Sequence, residues 1–157
     1  MINSLKKGLG FGLTSGIITT LGMIIGLGFS TDSTKIVIIS IFSIAIADSF
    51  SDALGVHMLE EIQIKNDAKQ IWQSTFFTFL FKLIFTLSFA IAFYLLNFQL
   101  AIIVDIIYGV ILIILFSVYL ARNRKASIFS TIAEHLTIVF TVILLTYFIG
   151  ISFKNLS

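Results

Sequence analysis

The chain has 157 residues, 58% of them hydrophobic and 11% charged, and its mean hydropathy is +1.09. A soluble domain carries roughly 25% charged residues, so this chain cannot cover a water-facing surface, and a net charge of +2 is too small and scattered for a nucleic-acid binder. With no Cys there is no disulfide, thiolate metal site or Fe–S cluster, and with no Pro any helix break must come from Gly or polar side chains.

Apolar stretches long enough to cross a ~30 Å hydrocarbon layer fall at 9–29, 36–58, 73–96, 99–121 and 128–152. They predict an all-α integral membrane protein, a bundle of five transmembrane helices forming a single domain over 1–157. The polar breaks between them are too short for a soluble domain, so function belongs inside the bundle. The break at Asn97 is so short that the third and fourth helices must form a tight antiparallel hairpin. Lys6 and Lys7 before an apolar run resemble a signal peptide, but the run is long and Gly-rich and no A-x-A site follows, so it reads as helix one. Lys6, Lys7, Lys65, Lys69, Arg122, Arg124 and Lys125 flank the spans on one side, against Lys35 and Lys154 on the other. The excess predicts a multi-pass protein with a cytoplasmic N-terminus and an external C-terminus, the membrane being the plasma membrane if the source is prokaryotic.

Helix one gathers its small and hydroxyl residues on one side. At about 100° per residue, Gly8, Gly12, Ser15, Thr19, Gly22 and Gly26 share a narrow arc, and seven of the ten glycines lie in this helix. Small residues let backbones approach in lipid. The stripe serves either packing within the chain or a subunit interface, and the expectation is a homodimer with Gly8, Gly12, Gly22 and Gly26 on the dimer face.

Helix two holds Asp48 and Asp52 one turn apart, with Gly55 on the same stripe and Ser49 and Ser51 beside it. A carboxylate near a bilayer centre costs roughly 2.5–3.5 kcal/mol on insertion scales, so this stripe should face protein or water. His57 points away from Asp48 and reads as an interfacial histidine. On helix three, Thr75, Thr78, Lys82 and Thr86 share a face, and Lys82 reaches the depth of Asp48. A Lys82–Asp48 ion pair is expected, which leaves Asp52 without a basic partner. Asp105, near the outer end of helix four, reads as a snorkelling residue or an exit-side ligand. Helix five places Ser127, Ser130, Glu134, Thr137 and Thr141 in one arc.

Carboxylates and hydroxyls are hard donors suited to divalent cations. A carboxylate pair can hold a proton when empty and release it when such a cation arrives. The expected metal and proton path therefore comprises Asp48, Asp52, Ser15 and Thr19, with Glu134, Glu60 and Met58 towards the cytoplasmic mouth. No nucleotide loop, H-E-x-x-H or G-x-S-x-G is present, so an enzyme is not expected. A haem subunit using His57 and His135 has only their shared side of the membrane in its favour.

Three stretches carry a resemblance: GLTSGIITTLGMIIG at 12–26, IADSFSDALGVHM at 46–58 and LTYFIG at 145–150. Together they resemble the vacuolar iron transporter family. The resemblance implies a proton-coupled Fe²⁺/Mn²⁺ transporter, with no tightly bound cofactor, working as a homodimer with its ion path along the dimer interface near helix one. Ser15 stands where that family has an aspartate, Asp52 where it has methionine and His57 where it has tyrosine. The helix-three proline is missing, and the family's Glu-rich insert is reduced to about ten residues. One acid is thus lost from helix one and one gained in helix two. The same departures also fit a transporter-like protein that has lost transport and serves as an assembly or scaffold subunit.

Overall fold

The computed structural model describes residues 2–63 and 67–154 and is all-helical among them. Six helices follow one another: α1 Ile2–Thr31, α2 Thr34–Ile62, α3 Ala68–Ser88, α4 Ala90–Leu95, α5 Phe98–Arg124 and α6 Ile128–Phe153. Five helical segments are long and apolar enough to cross a membrane, with α3 and α4 together forming the third, Ala68–Leu95. The spans begin and end a few residues beyond the apolar runs, because polar residues continue a helix until a capping side chain stops it.

Those caps are local and legible. Ser33, Asp67, Asn97 and Ser127 each accept a bond from the backbone N–H three residues on, at the starts of α2, α3, α5 and α6. A short polar side chain there satisfies one of the N–H groups that a first turn leaves open. The α4–α5 hairpin turns at Leu96 and Asn97, as the short polar break requires. α5 stops at Lys125, whose left-handed φ of 54° lets Ala126 N–H reach back to Ala121 O at 3.0 Å. The break between α3 and α4 falls at Phe89, where Ser88 Oγ donates to Phe85 O at 2.6 Å and Phe89 N–H bonds Thr86 O in a tightened turn. Without proline, a back-bonding serine is the available cause of such a bend.

α1 is the central helix, packed on α3, α6, α2 and α5. Its glycines explain how. A Cβ on Gly8 would stand 2.5 Å from Phe77 Cβ, and one on Gly12 would stand 2.8 Å from Lys82 N. Higher up, Gly22 lies against Val142 and Thr146 of α6, and a Cβ on Gly150 would meet Gly26 O at 2.7 Å. Gly8 and Gly12 are thus consumed by α3 and Gly22 and Gly26 by α6, all within one chain. The glycines of the expected dimer face make contacts within the chain, most closely at Gly8 and Gly12, while Thr19, Gly22 and Gly26 also border an open groove beside α6.

The ends of the spans collect as the charge count requires. Among the described residues, Lys6, Lys7, Lys69, Arg122, Arg124 and Lys125 lie at the end where α1 begins, and Lys35 and Lys154 lie at the other; Lys65 is outside the described residues. Lys7 pairs with Glu60 at one end and Lys154 with Asp32 at the other, each at 2.7 Å.

Candidate functional site

Half-way along the bundle, three helices bring charged and polar groups together. Asp48 and Asp52 project from successive turns of α2, and Lys82 reaches them from the middle of α3. Lys82 Nζ lies 2.5 Å from Asp48 Oδ2 and contacts Asp52 Oδ2 as well. Ser15 of α1 completes the cluster: Lys82 Nζ donates to Ser15 Oγ at 2.7 Å, and Ser15 Oγ donates to Asp52 Oδ2 at 2.6 Å. Gly12 makes this reach possible, because it lets α1 lie directly on the backbone of Lys82 and so delivers Ser15, one turn on, to the ammonium.

The electrostatics are asymmetric. The Lys82 side chain is 0% exposed, whereas Asp48 and Asp52 are 31% and 18% exposed. Two carboxylates against one ammonium leave the cluster one negative charge in excess. The charge that cannot be left unpaired in lipid is enclosed, and the carboxylates that hold it are open on one side. Below and above Lys82, the same face of α3 is polar and buried: Ser74, Thr78 and Thr86. Thr78 Oγ1 donates to Ser74 O at 2.8 Å, while Ser74 Oγ and Thr86 Oγ1 have no partner among the described residues.

The Lys82–Asp48 pair matches the sequence expectation, but the idea that Asp52 lacks a basic partner does not hold. Carboxylates at i and i+4 are close enough for one ammonium to bridge both. Of the residues expected on the path, Asp48, Asp52 and Ser15 come together. Thr19 does not join them: its hydroxyl donates to Ser15 O at 2.9 Å, and the residue lines a groove beside α6. Glu60 is buried in its pair with Lys7. Met58 is 57% exposed and faces outward, since six residues beyond Asp52 the helix has turned well away. Glu134 is exposed on α6, away from the cluster.

The histidines lie elsewhere. His57 Nδ1 is 2.9 Å from Thr75 Oγ1, and its ring meets Trp72 edge-on. His135 Nδ1 is 2.7 Å from Ser117 Oγ. Asp105 is the residue whose environment the sequence misjudged. It does not snorkel; it is 2% exposed, and its Oδ2 has no partner among the described residues. It borders a groove that also contains Ser88 and Tyr108.

Beside Asp48 and Asp52, α2 presents Ser43, Ala47, Ser51 and Gly55 at four-residue intervals, all exposed, with nothing within 4 Å of a Cβ on Gly55. Among the described residues no three His, Asp or Glu side chains gather as a metal-binding group. No protein-family model, no curated protein and no solved structure matches the chain.

Proposed function

We propose that the chain is a proton-coupled cation transporter whose ion site is Asp48, Asp52 and Ser15, with Lys82 as the resident charge an arriving ion displaces. The observation that carries this reading is the pairing of a fully enclosed ammonium with two partly open carboxylates half-way across the bundle. The hard oxygens of two carboxylates and a hydroxyl suit Fe²⁺ or Mn²⁺ with water completing the shell, and the resemblance favours those ions as substrate.

Charge balance supplies the coupling. Adding a divalent ion to a protonated cluster would turn one excess negative charge into one excess positive charge. Loss of one proton from the site as the ion enters would make the cluster neutral, the least costly state in a low-dielectric medium. Ion entry and proton release are then one event, as in an antiporter.

A homodimer belongs to the same reading, but with α2 in place of the glycine face of α1. The exposed small residues Ser43, Ala47, Ser51 and Gly55 permit close helix approach. A second copy there would cover the open side of Asp48 and Asp52 and set the ion path at the interface.

One observation favours the scaffold reading. Lys82 contacts both carboxylates, so the triad also functions as a stabilising ion cluster that ties α1, α2 and α3 together. Proteoliposomes separate the two. Inward Fe²⁺ or Mn²⁺ gradients should drive proton efflux with the natural chain and not with Asp52→Asn. Absence of cation-dependent proton movement, with Fe²⁺, Mn²⁺, Mg²⁺ and Ca²⁺ all tried, would leave the scaffold reading standing.

A further inference from the structure

The end of the bundle where α1 begins carries a second feature that the transport site does not use. Between α1, α5 and α6 lies a groove of about 560 Å³ bordered by Lys6, Lys7 and Arg124, with Asn123 and His135 beside them and no acidic residue in its lining. Lys7 is engaged by Glu60. Lys6 and Arg124 are exposed and make no ion pair among the described residues. They arrive from opposite chain directions, one at the start of α1 and one at the end of α5, and meet over an apolar floor that includes Phe11, Phe116 and Leu120.

That floor continues downward. Thr14 and His135 also border a more enclosed slot of about 210 Å³, completed by Ile18, Ile113 and Ile138. Ile18 in turn borders the apolar groove of about 670 Å³ that runs beside Gly22 and Gly26 to Phe153. Three adjoining cavities thus form one track along α1 and α6, cationic at the end and apolar for the rest of its length.

We infer that this track binds an anionic phospholipid, with the phosphate between Lys6 and Arg124 and an acyl chain lying in the slot between α1 and α6. The chemistry at the end alone would accept any phosphate; the apolar continuation is what selects a lipid. Lysine and arginine stems cover apolar surface while their heads reach the headgroup level, and basic pockets between spans on the cytoplasmic side suit such headgroups. The track is separate from the α2 face proposed for a second copy, so lipid and partner do not compete.

The test uses the full chain in mild detergent. Native mass spectrometry after exposure to equal phosphatidylglycerol and phosphatidylcholine should show selective retention of phosphatidylglycerol, and phosphatidylglycerol should raise the unfolding temperature where inorganic phosphate does not. The double variant Lys6→Gln/Arg124→Gln should weaken retention roughly tenfold or more, from the loss of two headgroup charges. Ile138→Trp, which keeps those charges and fills the slot, should weaken it too. Equal retention of both lipids, an equal shift with inorganic phosphate, unchanged retention in both variants, or no retained lipid would each overturn the proposal.

Discussion

Lys82 stands between Asp48 and Asp52, 2.5 Å from the first and in contact with the second, and no part of its side chain is exposed. A single ammonium thus answers two carboxylates that the sequence places one turn apart. Each aspartate is therefore a reserve partner for the lysine if the other is lost.

Redundancy predicts non-additive substitutions. Asp48→Asn and Asp52→Asn should each cost about 1–3 kcal/mol, because Lys82 keeps one carboxylate. The double variant should exceed the sum of the two by about 1–3 kcal/mol, because it strands the ammonium in the bundle. Asp52→Asn should be the more damaging single change, since Asp52 also accepts from Ser15. Unfolding curves in detergent for the four proteins measure the coupling. Simple additivity would mean that the cluster is looser than its distances state.

The glycines of α1 predict a graded response. Gly8→Leu and Gly12→Leu should cost about 3 kcal/mol or more, at the upper end for overpacking, because the neighbouring atoms include the α3 backbone. Gly55→Ala should be neutral or slightly stabilising, by up to about 1 kcal/mol, since the space around it is open. Circular dichroism during thermal unfolding reads both, and a tolerated Gly12→Leu would contradict the close α1–α3 contact.

The difference between those glycines marks the limit of what the sequence shows. Length and apolarity make the five spans legible, and a 100° turn per residue says which residues share a face. Periodicity does not say which neighbour covers that face. Gly8 and Gly12 therefore looked available to a second copy, although α3 occupies them, while Ser51 and Gly55 of α2 were read only as neighbours of the aspartates and not as part of an open face with Ser43 and Ala47. Lys82 was legible because a lone ammonium amid apolar residues needs a partner at equal depth. That it would serve both aspartates depends on the reach of its stem across the α2–α3 contact. Asp105 looked like an interfacial residue from its place near a helix start; it is buried where α5 meets the end of α3 and α4, beside Ser88, Ala92 and Tyr108, a contact that no local pattern records.

Asp105 offers a substitution of opposite sign. Its buried Oδ2 has no partner among the described residues. Asp105→Leu replaces the buried carboxyl by an apolar side chain of similar size and so removes a group that is costly to enclose; it should stabilise the protein by about 1–3 kcal/mol. The check is the midpoint of thermal unfolding in detergent, measured beside the natural chain. Loss of stability would mean that the carboxyl has a partner in the folded protein, and an ordered water would be the first place to look.

The proposed assembly can be read without altering the charge cluster. The natural chain contains no Cys, so a single introduced thiol reports its own neighbourhood. Ser51 sits on the exposed side of α2 beside Asp52, and a twofold axis along that side would bring two copies of it together. Ser51→Cys should give an oxidised, disulfide-linked dimer in membranes, whereas cysteine at the exposed Leu115 of α5 should not. Ala47→Trp, on the same side, should block close helix approach and yield a folded monomer. If transport depends on a covered path, that monomer should also lose cation-driven proton flux with Asp48, Asp52 and Lys82 intact. A monomer with full flux would separate the two ideas, leaving the ion site within one chain and the small-residue face of α2 without a role in transport. Crosslinking at Leu115 in preference to Ser51 would move the interface to α5 and overturn the assembly proposed for α2.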